Sequence, residues 1–498
     1  MFLVRAPSYR EMCLLSRLWW ETLGELSDIE MSHPASPRIQ TRSGSADGLN
    51  ACFPYGPQTN MRLTHRTPFL KAGANEMNRN TAWMMLGNGA RVVIQALYFI
   101  LMARNLGPKQ YGVFVAVTAA VAVVSPFVGN GCASLMIKHV AQDRMQFAES
   151  LGNLLAVTLL SGLLLSALTA PVCLVLLPRQ IAPAVIMMIL VSDVLVFPYV
   201  GVAGVAFWSL ERLGWAAALN IFASSMRLIG IAVIVMLHRP TLIAWSLSYL
   251  VTSAVASMVA LGCVLRFLGM PKLRLRRIKS ELWEGFHFSV GLSAQTIYNN
   301  IDKTMLARLG TLEGTGIYGA AYRLIDVAFL PVTALLSAAY PGFFRCGKDG
   351  IHATMLYGQK LMKRILPYSL FVFAALMLGA PMVPRVLGRE YYNAAEALRW
   401  LAVLPLVKTF HYFIADSLTG AGYQGLRTLV QLGIAAFNIL VNLWIIPAYG
   451  WRGAAWSSIA SDGLLALVLW LIATHLAGKT RQMGSTGQPE PSEVPCLT

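Results

Sequence analysis

The chain has 498 residues, of which 56% are hydrophobic and only 13% charged, and its mean hydropathy is +0.57. Soluble domains carry about 25% charged residues, so this composition excludes an ordinary soluble protein. The net charge of +17 does not indicate nucleic-acid binding, because the basic residues lie in short connections between apolar stretches, where the orientation signals of membrane proteins belong. The sequence predicts an all-α polytopic membrane protein.

The two ends of the chain differ in composition from the rest. Residues 1–76 scatter Pro, Ser, Gly, Arg and Asn without periodicity, and they hold no apolar stretch long enough to cross a bilayer. This pattern predicts either a disordered extension or an upstream start that is not the natural one, with ordinary sequence resuming at Met77. Residues 479–498 are expected to form a disordered tail.

Between the two ends, about twelve apolar stretches are long enough to span a bilayer. They predict a six-helix bundle over 77–270 and a second over 284–478, joined by a basic linker at 271–283. Alternate connections carry roughly seventeen Lys and Arg on one side and about eight on the other, which predicts that both termini are cytoplasmic. The predicted spans are 82–104, 111–137, 147–177, 181–209, 214–237, 241–268, 284–309, 315–344, 362–387, 393–421, 424–447 and 451–476.

An internal repeat relates the two predicted bundles. Arg104, Gly112, Phe114 and Ala116 match Arg308, Gly316, Tyr318 and Ala320 at a constant offset of 204 residues. A repeat of this length without gaps indicates a duplicated unit. Because each unit holds an even number of spans, the two units are expected to share one orientation and to be related about the membrane normal.

Polar side chains form stripes on several of the predicted spans. Gln295, Asn299 and Asp302 are spaced four and three residues apart and therefore share one helical face. At the repeat offset, the first span carries Arg91 and Gln95, and Asn88 extends that stripe by one turn. Two equivalent helices thus point polar ridges the same way, which suggests a cavity between the bundles. Interhelical hydrogen bonding is the alternative for the amides alone, including Asn438 and Asn442.

Charged side chains in the middle of a span are costly and mark transport paths or counter-ion sites by default. The candidate cations are Arg91, Arg227, Lys303, Arg323 and Lys408, and they outnumber the carboxylates near them in sequence. A cavity with surplus positive charge suits an anion such as a phosphate or pyrophosphate. The candidate coupling or gating carboxylates are Asp302, Asp326 and Asp416.

Some of these charges have a structural alternative. Arg323 and Asp326 are three residues apart on one helix, so they are candidates either for a function or for simple mutual neutralisation. Asp193 and Asp462 stand alone in their spans and receive no role. The seven cysteines are scattered without a CxxC pair, and the sequence predicts no metal, no cofactor and no catalytic residue.

The motifs of both halves resemble those of a known transporter family. They are ARNLGPKQYGVF at 103–114, NIDKTMLAR at 300–308, GIYGAAYRL at 316–324, PGFF at 341–344, GREYYNAA at 388–395 and IPAYGWRGAA at 446–455. Together they resemble the polysaccharide-transport branch, the O-antigen and exopolysaccharide flippases, of the multidrug/oligosaccharidyl-lipid/polysaccharide exporter superfamily. The resemblance covers about residues 80–478.

The resemblance implies two six-helix bundles around a cationic central cavity, in the manner of multidrug-and-toxin-extrusion transporters, with alternating access. It implies export of an undecaprenyl-pyrophosphate-linked oligosaccharide across the bacterial inner membrane, driven by an ion gradient, with Asp302 as the coupling carboxylate. Membrane lipids are the other expected contacts. The sequence identifies no partner protein, although a polysaccharide polymerase and co-polymerase are the candidates.

Two alternatives remain open beside the flippase. The first is a cation-coupled multidrug antiporter of the same fold, which would present carboxylates to a cationic drug. The second is a membrane polysaccharide polymerase. That enzyme would need a large extracytoplasmic loop or an acidic metal or sugar-phosphate motif, and the sequence has neither such a loop nor a DxD or HExxH motif. The sequence therefore favours a transporter over an enzyme.

Overall fold

The described part of the chain is built from helices. We analysed a computed structural model that describes residues 69–129, 131–238 and 241–484. The helices before the central linker are α1 (Phe69–Ala122), α2 (Cys132–Gln142), α3 (Phe147–Leu176), α4 (Pro183–Leu190), α5 (Pro198–Ser209), α6 (Leu213–Met236) and α7 (Leu242–Phe267). Those after it are α8 (Leu275–Leu309), α9 (Leu312–Gly347), α10 (Ile351–Gly379), α11 (Val383–Leu387), α12 (Tyr392–Leu401), α13 (Leu404–Gly420), α14 (Gln424–Tyr449) and α15 (Trp451–Gly484).

The all-α polytopic fold is confirmed. Among the described residues, nine helices are long and apolar enough to cross a membrane, or ten if the pair Arg389–Leu401 and Leu404–Gly420, bent by 43°, forms one span. Two features explain why this count is ten rather than the twelve spans that the sequence predicts. One counted helix, Gly89–Phe127, is broken at Gly107, where φ is 69°, so it carries two of the predicted spans. Helix α8 is not among these helices, because polar residues occur along its whole length.

The boundaries of the predicted segments differ from the structure at three places. Helix α1 begins at Phe69, so residues 69–76 are helical rather than part of an extension, while residues 1–68 lie outside the described residues. Helix α8 begins at Leu275, which leaves only 271–274 of the predicted linker extended. Helix α15 continues to Gly484, past the predicted tail boundary at 478.

Two glycines related by the repeat bring the halves into backbone contact. A Cβ added to Gly112 would lie 1.7 Å from the carbonyl oxygen of Leu312, and one added to Gly316 would lie 1.9 Å from that of Pro108. The same 204-residue offset relates Pro108 to Leu312. The two contacts are therefore reciprocal, as expected if a pseudo-two-fold axis passes between α1 and α9. Only glycine permits this approach, and the contact lies at the end where both hairpins turn.

The extended linker is fixed to the first half at the opposite end. The backbone N–H of Lys272 donates to the carbonyl oxygen of Ala148 at 2.8 Å, and that of Arg274 donates to the side-chain oxygen of Asn153 at 3.0 Å. The Arg274 guanidinium also binds the Glu149 carboxylate at 2.8 Å. Gly152 leaves room for the linker, since a Cβ there would lie 2.3 Å from the Lys272 carbonyl oxygen.

A π-helical turn interrupts the fourth predicted span. Residues Val191–Val196 form it between α4 and α5, and the N–H of Phe197 donates to the carbonyl oxygen of Ser192 at 2.7 Å. Pro198 follows at once and has no N–H to continue an α-helical ladder. Such turns re-aim side chains and are frequent at functional sites. This one carries Asp193.

Candidate functional site

A cavity of about 400 Å³ lies between the two halves. It is directly beside the backbone contact at Gly112 and Gly316, which we call the glycine crossing. Helices α1, α6 and α7 and the π-helical turn line it from the first half, and α8 and α9 line it from the second. The four cations and two carboxylates on its wall are Arg91, Arg227, Lys303, Arg323, Asp193 and Asp326, and its polar neutral residues include Gln95, Tyr98, Asn220, Ser224, Tyr249, Asn300 and Tyr322.

The structure thus brings together four of the five predicted cations. Lys408 is the fifth, and it does not line the cavity but lies behind its wall. Two of the predicted polar residues, Gln95 and Asp326, also line the cavity. The side chain of Asn88 lies outside the described residues. Because two carboxylates oppose four cations, the wall keeps a surplus of two positive charges.

Arg227 is enclosed by aromatic rings and a carboxylate. Its guanidinium lies 3.9 Å from the ring centre of Phe197 and 4.3 Å from that of Tyr249, and 3.5 Å from the Asp193 carboxylate. The hydroxyl of Tyr249 donates to the same carboxylate at 2.8 Å. Arg227 therefore already has its counter-ion, which makes it less available to a ligand than the sequence suggests.

Arg91 and Arg323 are the cavity arginines whose charge is not paired with a carboxylate in the described part of the chain. Among the described residues, neither forms an ion pair with a carboxylate, and Arg323 donates only to the Gln95 side-chain oxygen at 3.4 Å. That hydrogen bond joins α9 to α1 across the boundary between the halves. Asp326 is exposed, and no ion pair joins it to Arg323 in the described part of the chain. The mutual-neutralisation alternative for these two residues therefore receives no support.

Two lysines flank a single tyrosine ring at the wall of the second half. The Nζ of Lys303 lies 4.2 Å from the ring centre of Tyr322, and that of Lys408 lies 4.8 Å from it. Lys303 also donates to the Asn299 carbonyl oxygen at 2.7 Å and to the Asn300 side-chain oxygen at 3.2 Å. Tyr322 thus connects a cation that lines the cavity with a buried cation behind it.

Asp302 lies off the cavity in a set of hydrogen bonds. Only 2% of the residue is exposed. Its carboxylate accepts from the hydroxyls of Tyr318 and of Ser458, the latter at 3.1 Å, and from the backbone N–H of Lys303 at 2.7 Å. These contacts tie α8 to α9 and α15. The coupling role of Asp302 stays a prediction.

Asp416 lies elsewhere, at the turn between α13 and α14. Its carboxylate binds the Arg427 guanidinium at 2.9 Å, and the same guanidinium donates to the Thr419 hydroxyl at 2.9 Å. Asp416 does not line the cavity. An ion pair that holds a turn explains its burial, so the structure does not bring Asp416 together with the other predicted gating residues.

The remaining polar stripes join helices to one another. Gln295 donates to the Tyr412 hydroxyl at 2.9 Å. Asn438 donates to the Ser461 hydroxyl at 2.9 Å, and Asn442 donates to Asn438 at 2.8 Å. The Asn442–Asn438 contact lies within α14, and Asn442 joins α14 to α15 by accepting from the Ser457 hydroxyl. The contacts of Gln295, Asn438 and Asn442 thus include one between neighbouring helices in each case, which is the structural role that membrane bundles commonly give to amides.

The two carboxylates that the sequence leaves without a partner each have one. Asp193 pairs with Arg227, and Asp462 contacts the His411 ring at 3.1 Å and accepts from the Tyr298 hydroxyl. Their partners lie on other spans, so no local spacing reveals them. The only signal in the sequence is their position in the middle of an apolar stretch.

The fold and the cavity define a polytopic membrane protein with two helical halves around a polar, cationic space. A family model described as "Polysaccharide biosynthesis protein" matches residues 77–346, which is more than half of the chain. The chain belongs to this family. The predicted resemblance to the polysaccharide-transport branch of the exporter superfamily is confirmed.

Known proteins resemble the chain over most of its length. It is 20% identical over 417 residues to a protein of Escherichia coli (strain K12) named "Putative O-antigen transporter", covering 80% of this chain and 97% of that one. A multidrug resistance MATE family transporter in an inward-facing conformation gives a TM-score of 0.66 at 15% identity, covering 80% of this chain and 96% of that one. The lipid II flippase MurJ in an inward closed conformation gives 0.65 at 11% identity, covering 78% and 87%. At these identities the two structures show the fold.

Proposed function

We propose that this protein is a flippase that moves an undecaprenyl-pyrophosphate-linked oligosaccharide across the bacterial inner membrane for the synthesis of a surface polysaccharide. One observation carries the proposal. A cavity between the halves holds Arg91 and Arg323, two arginines without a carboxylate partner among the described residues, at the boundary where the halves meet. The names of the Escherichia coli relative and of the lipid II flippase support the same class of cargo.

The chemistry of the cavity fits a diphosphate head group. A guanidinium presents a planar fork of N–H donors that matches phosphate oxygens, and it stays charged in any environment. Arg91 lies on α1 and Arg323 on α9, so a diphosphate bound by both would contact the two halves at once. The surplus of two positive charges on the wall compensates an anion that leaves water.

Transport of this kind needs no covalent step. The polyprenyl tail can remain in the hydrocarbon phase while the head group crosses through the cavity, so binding and a change of access are sufficient. The glycine crossing closes one end of the cavity, and access to the other side requires that Gly112 and Gly316 separate from the opposing backbone. We therefore assign the protein as a transporter that is not an enzyme.

The direction of transport follows from the orientation. The excess of Lys and Arg in alternate connections predicts cytoplasmic termini, and with that orientation the glycine crossing would lie at the outer side of the membrane. With the outer side closed in this way, cargo would enter from the cytoplasmic leaflet. An ion gradient is the proposed energy source, with Asp302 and Asp326 as the candidate coupling carboxylates that lie in or beside the cavity wall.

A multidrug antiporter is the second candidate, because Asp326 is an exposed carboxylate on the cavity wall. A cationic drug would need such a group. The other carboxylate of the wall, Asp193, is already paired with Arg227, and the wall has two more cations than carboxylates. The charge balance therefore favours an anionic cargo.

Proteoliposomes containing the purified full chain test the proposal. The probe is a polyprenyl pyrophosphate with a fluorescent tag, and its movement is read from the fraction of tag that an impermeant quencher reaches. We expect the wild-type chain to equilibrate the probe between leaflets, and Arg91→Ala and Arg323→Ala to abolish this. Arg452→Ala is the matched control, since Arg452 pairs with Glu396 outside the cavity. Equal rates in wild-type and protein-free vesicles would contradict the proposal, and transport of a cationic dye alone would favour the antiporter.

A further inference from the structure

A second cluster of ionisable groups lies behind the cavity, inside the second half. His411 on α13 and Asp462 on α15 are 3% and 1% exposed, and the Nε2 of His411 lies 3.1 Å from the Asp462 carboxylate. The hydroxyl of Tyr298 on α8 donates to the same carboxylate. Three helices thus meet at one carboxylate that is buried in the membrane region.

Helices α8 and α15 are joined by two hydrogen bonds to carboxylates, and the two carboxylates have different partners. In one, Tyr298 of α8 donates to Asp462 of α15, and in the other, Ser458 of α15 donates to Asp302 of α8. Asp302 accepts from hydroxyls and a backbone N–H. Asp462 also accepts from a hydroxyl, but it has an imidazole as a further partner. Histidine is the side chain whose ordinary titration lies closest to physiological pH.

The groups around His411 come from every neighbouring helix, and only some of them are charged. On its own helix, Lys408 lies one turn away and the Tyr412 ring stacks on the imidazole with 4.6 Å between ring centres. Lys408 and, from α14, Arg427 are the cations that act on it. Helix α9 contributes Tyr322 beside Lys408. The α10 contact made by this part of α13 is uncharged, a 2.8 Å hydrogen bond between Ser369 and Thr409.

These neighbours make the cluster electrically balanced before any proton binds. Asp462 supplies one negative charge and Lys408 one positive charge, while Arg427 is paired with Asp416. A proton added to the His411–Asp462 pair therefore leaves a net positive charge in the membrane interior, where an uncompensated charge costs several kcal/mol. Such a proton is stable only when a negative charge arrives nearby.

The cavity is the place where that negative charge would arrive. The Tyr322 ring lies on the cavity wall and contacts both Lys303, which lines the cavity, and Lys408, which belongs to the cluster. An anion bound beside Lys303 and Arg323 would thus lie close to the ring that Lys408 of the cluster contacts. Charges this close in a medium of low dielectric interact strongly.

We propose that the His411–Asp462 pair is a proton-binding site, and that it takes up a proton when an anionic head group binds in the cavity. The site rests on the proposed function, because the linkage needs an anionic cargo. It places the proton of the transport cycle at His411 and Asp462, distinct from the candidate Asp302 one turn along the same helix contact.

Calorimetry of the purified full chain in detergent tests the site, with farnesyl pyrophosphate as the probe. Binding enthalpies in buffers of different ionisation enthalpy give the number of protons taken up per bound molecule. At about pH 7 we expect the wild-type chain to take up about one proton more than His411→Gln. His352→Gln is the matched control, since His352 is exposed and far along the chain from the cluster, and it should behave as the wild type.

Asp462→Asn is the second variant if His411→Gln fails to fold, because an amide oxygen can still accept from Tyr298. It should also lose the additional proton while it keeps binding the probe. Equal proton uptake in wild type and in both variants would overturn the site, and so would loss of the proton in Asp302→Asn with its retention in Asp462→Asn. Absence of probe binding to the wild type would overturn the proposed function and the site with it, whereas binding without a difference in protons overturns the site alone.

Discussion

The backbone crossing at Gly112 and Gly316 yields a quantitative prediction about the opening of the cavity. In Gly112→Ala the new Cβ would lie 1.7 Å from the Leu312 carbonyl oxygen, where ordinary van der Waals contact begins at 3.4 Å. The opposing atom belongs to helix backbone, which cannot rotate away as a side chain can. The two helices must therefore separate by about 1.7 Å, or the end of the cavity must open.

The cost of this overlap falls on the closed arrangement alone. Overpacking of a tight contact costs typically about 1–3 kcal/mol, which corresponds to a shift of about 5- to 150-fold between two conformations. Gly316→Ala should act in the same way, because its Cβ would lie 1.9 Å from the Pro108 carbonyl oxygen. In both variants the population with the hairpin ends apart is expected to rise.

Spin labels on the two hairpins measure this population directly. Lys109 and Glu313 are exposed and related by the 204-residue offset, and labels at these positions report the separation of the hairpins by double electron–electron resonance. Gly112→Ala should add a longer distance to the distribution. Gly433→Ala is the control, since nothing lies within 4 Å of an added Cβ there. An unchanged distribution in folded Gly112→Ala would refute the role of the glycines in closing the cavity.

Two further predictions concern the polar contacts. Asp193→Asn leaves Arg227 without its carboxylate. We expect it to lower the free energy of unfolding, measured in detergent, by about 3 kcal/mol. Unchanged stability would mean that the aromatic rings alone hold the guanidinium. Asn442→Ala removes an amide that only joins helices. We expect it to lower the stability by about 1 kcal/mol and to leave the surface polysaccharide normal. Loss of polysaccharide in a stably inserted variant would instead give Asn442 a role in transport.

The sequence predicts the architecture well because the relevant signals are local or periodic. Spanning helices follow from apolar length, and the reciprocal contact of Gly112 and Gly316 has the offset that the repeat shows. The boundaries are less well predicted. No local signal separates the polar first turns of α8 from a linker, or shows that α1 already begins at Phe69.

Many of the residues that line the cavity could be predicted from the sequence, but the ion pairs among them could not. Helical periodicity places Arg91 and Gln95 on one face, and mid-span charge selects Arg227 and Arg323. Whether an arginine is free depends on contacts between helices distant in sequence, so nothing local shows that Asp193 already neutralises Arg227. Asp416 is an instructive exception, because it and Arg427 lie on either side of a short helix–helix turn, where an ion pair could have been expected.

The location of lipid-linked intermediates tests the central claim most directly. A strain that lacks the gene would be scored for surface polysaccharide and for oligosaccharide-linked undecaprenyl pyrophosphate in each leaflet of its inner membrane. A flippase with a cationic cavity predicts loss of the polymer and accumulation of the intermediate on the cytoplasmic side, with rescue by the wild-type chain and not by Arg91→Ala or Arg323→Ala. Intact polymer with raised sensitivity to cationic drugs, or single repeat units that reach the outer leaflet without polymerising, would contradict it.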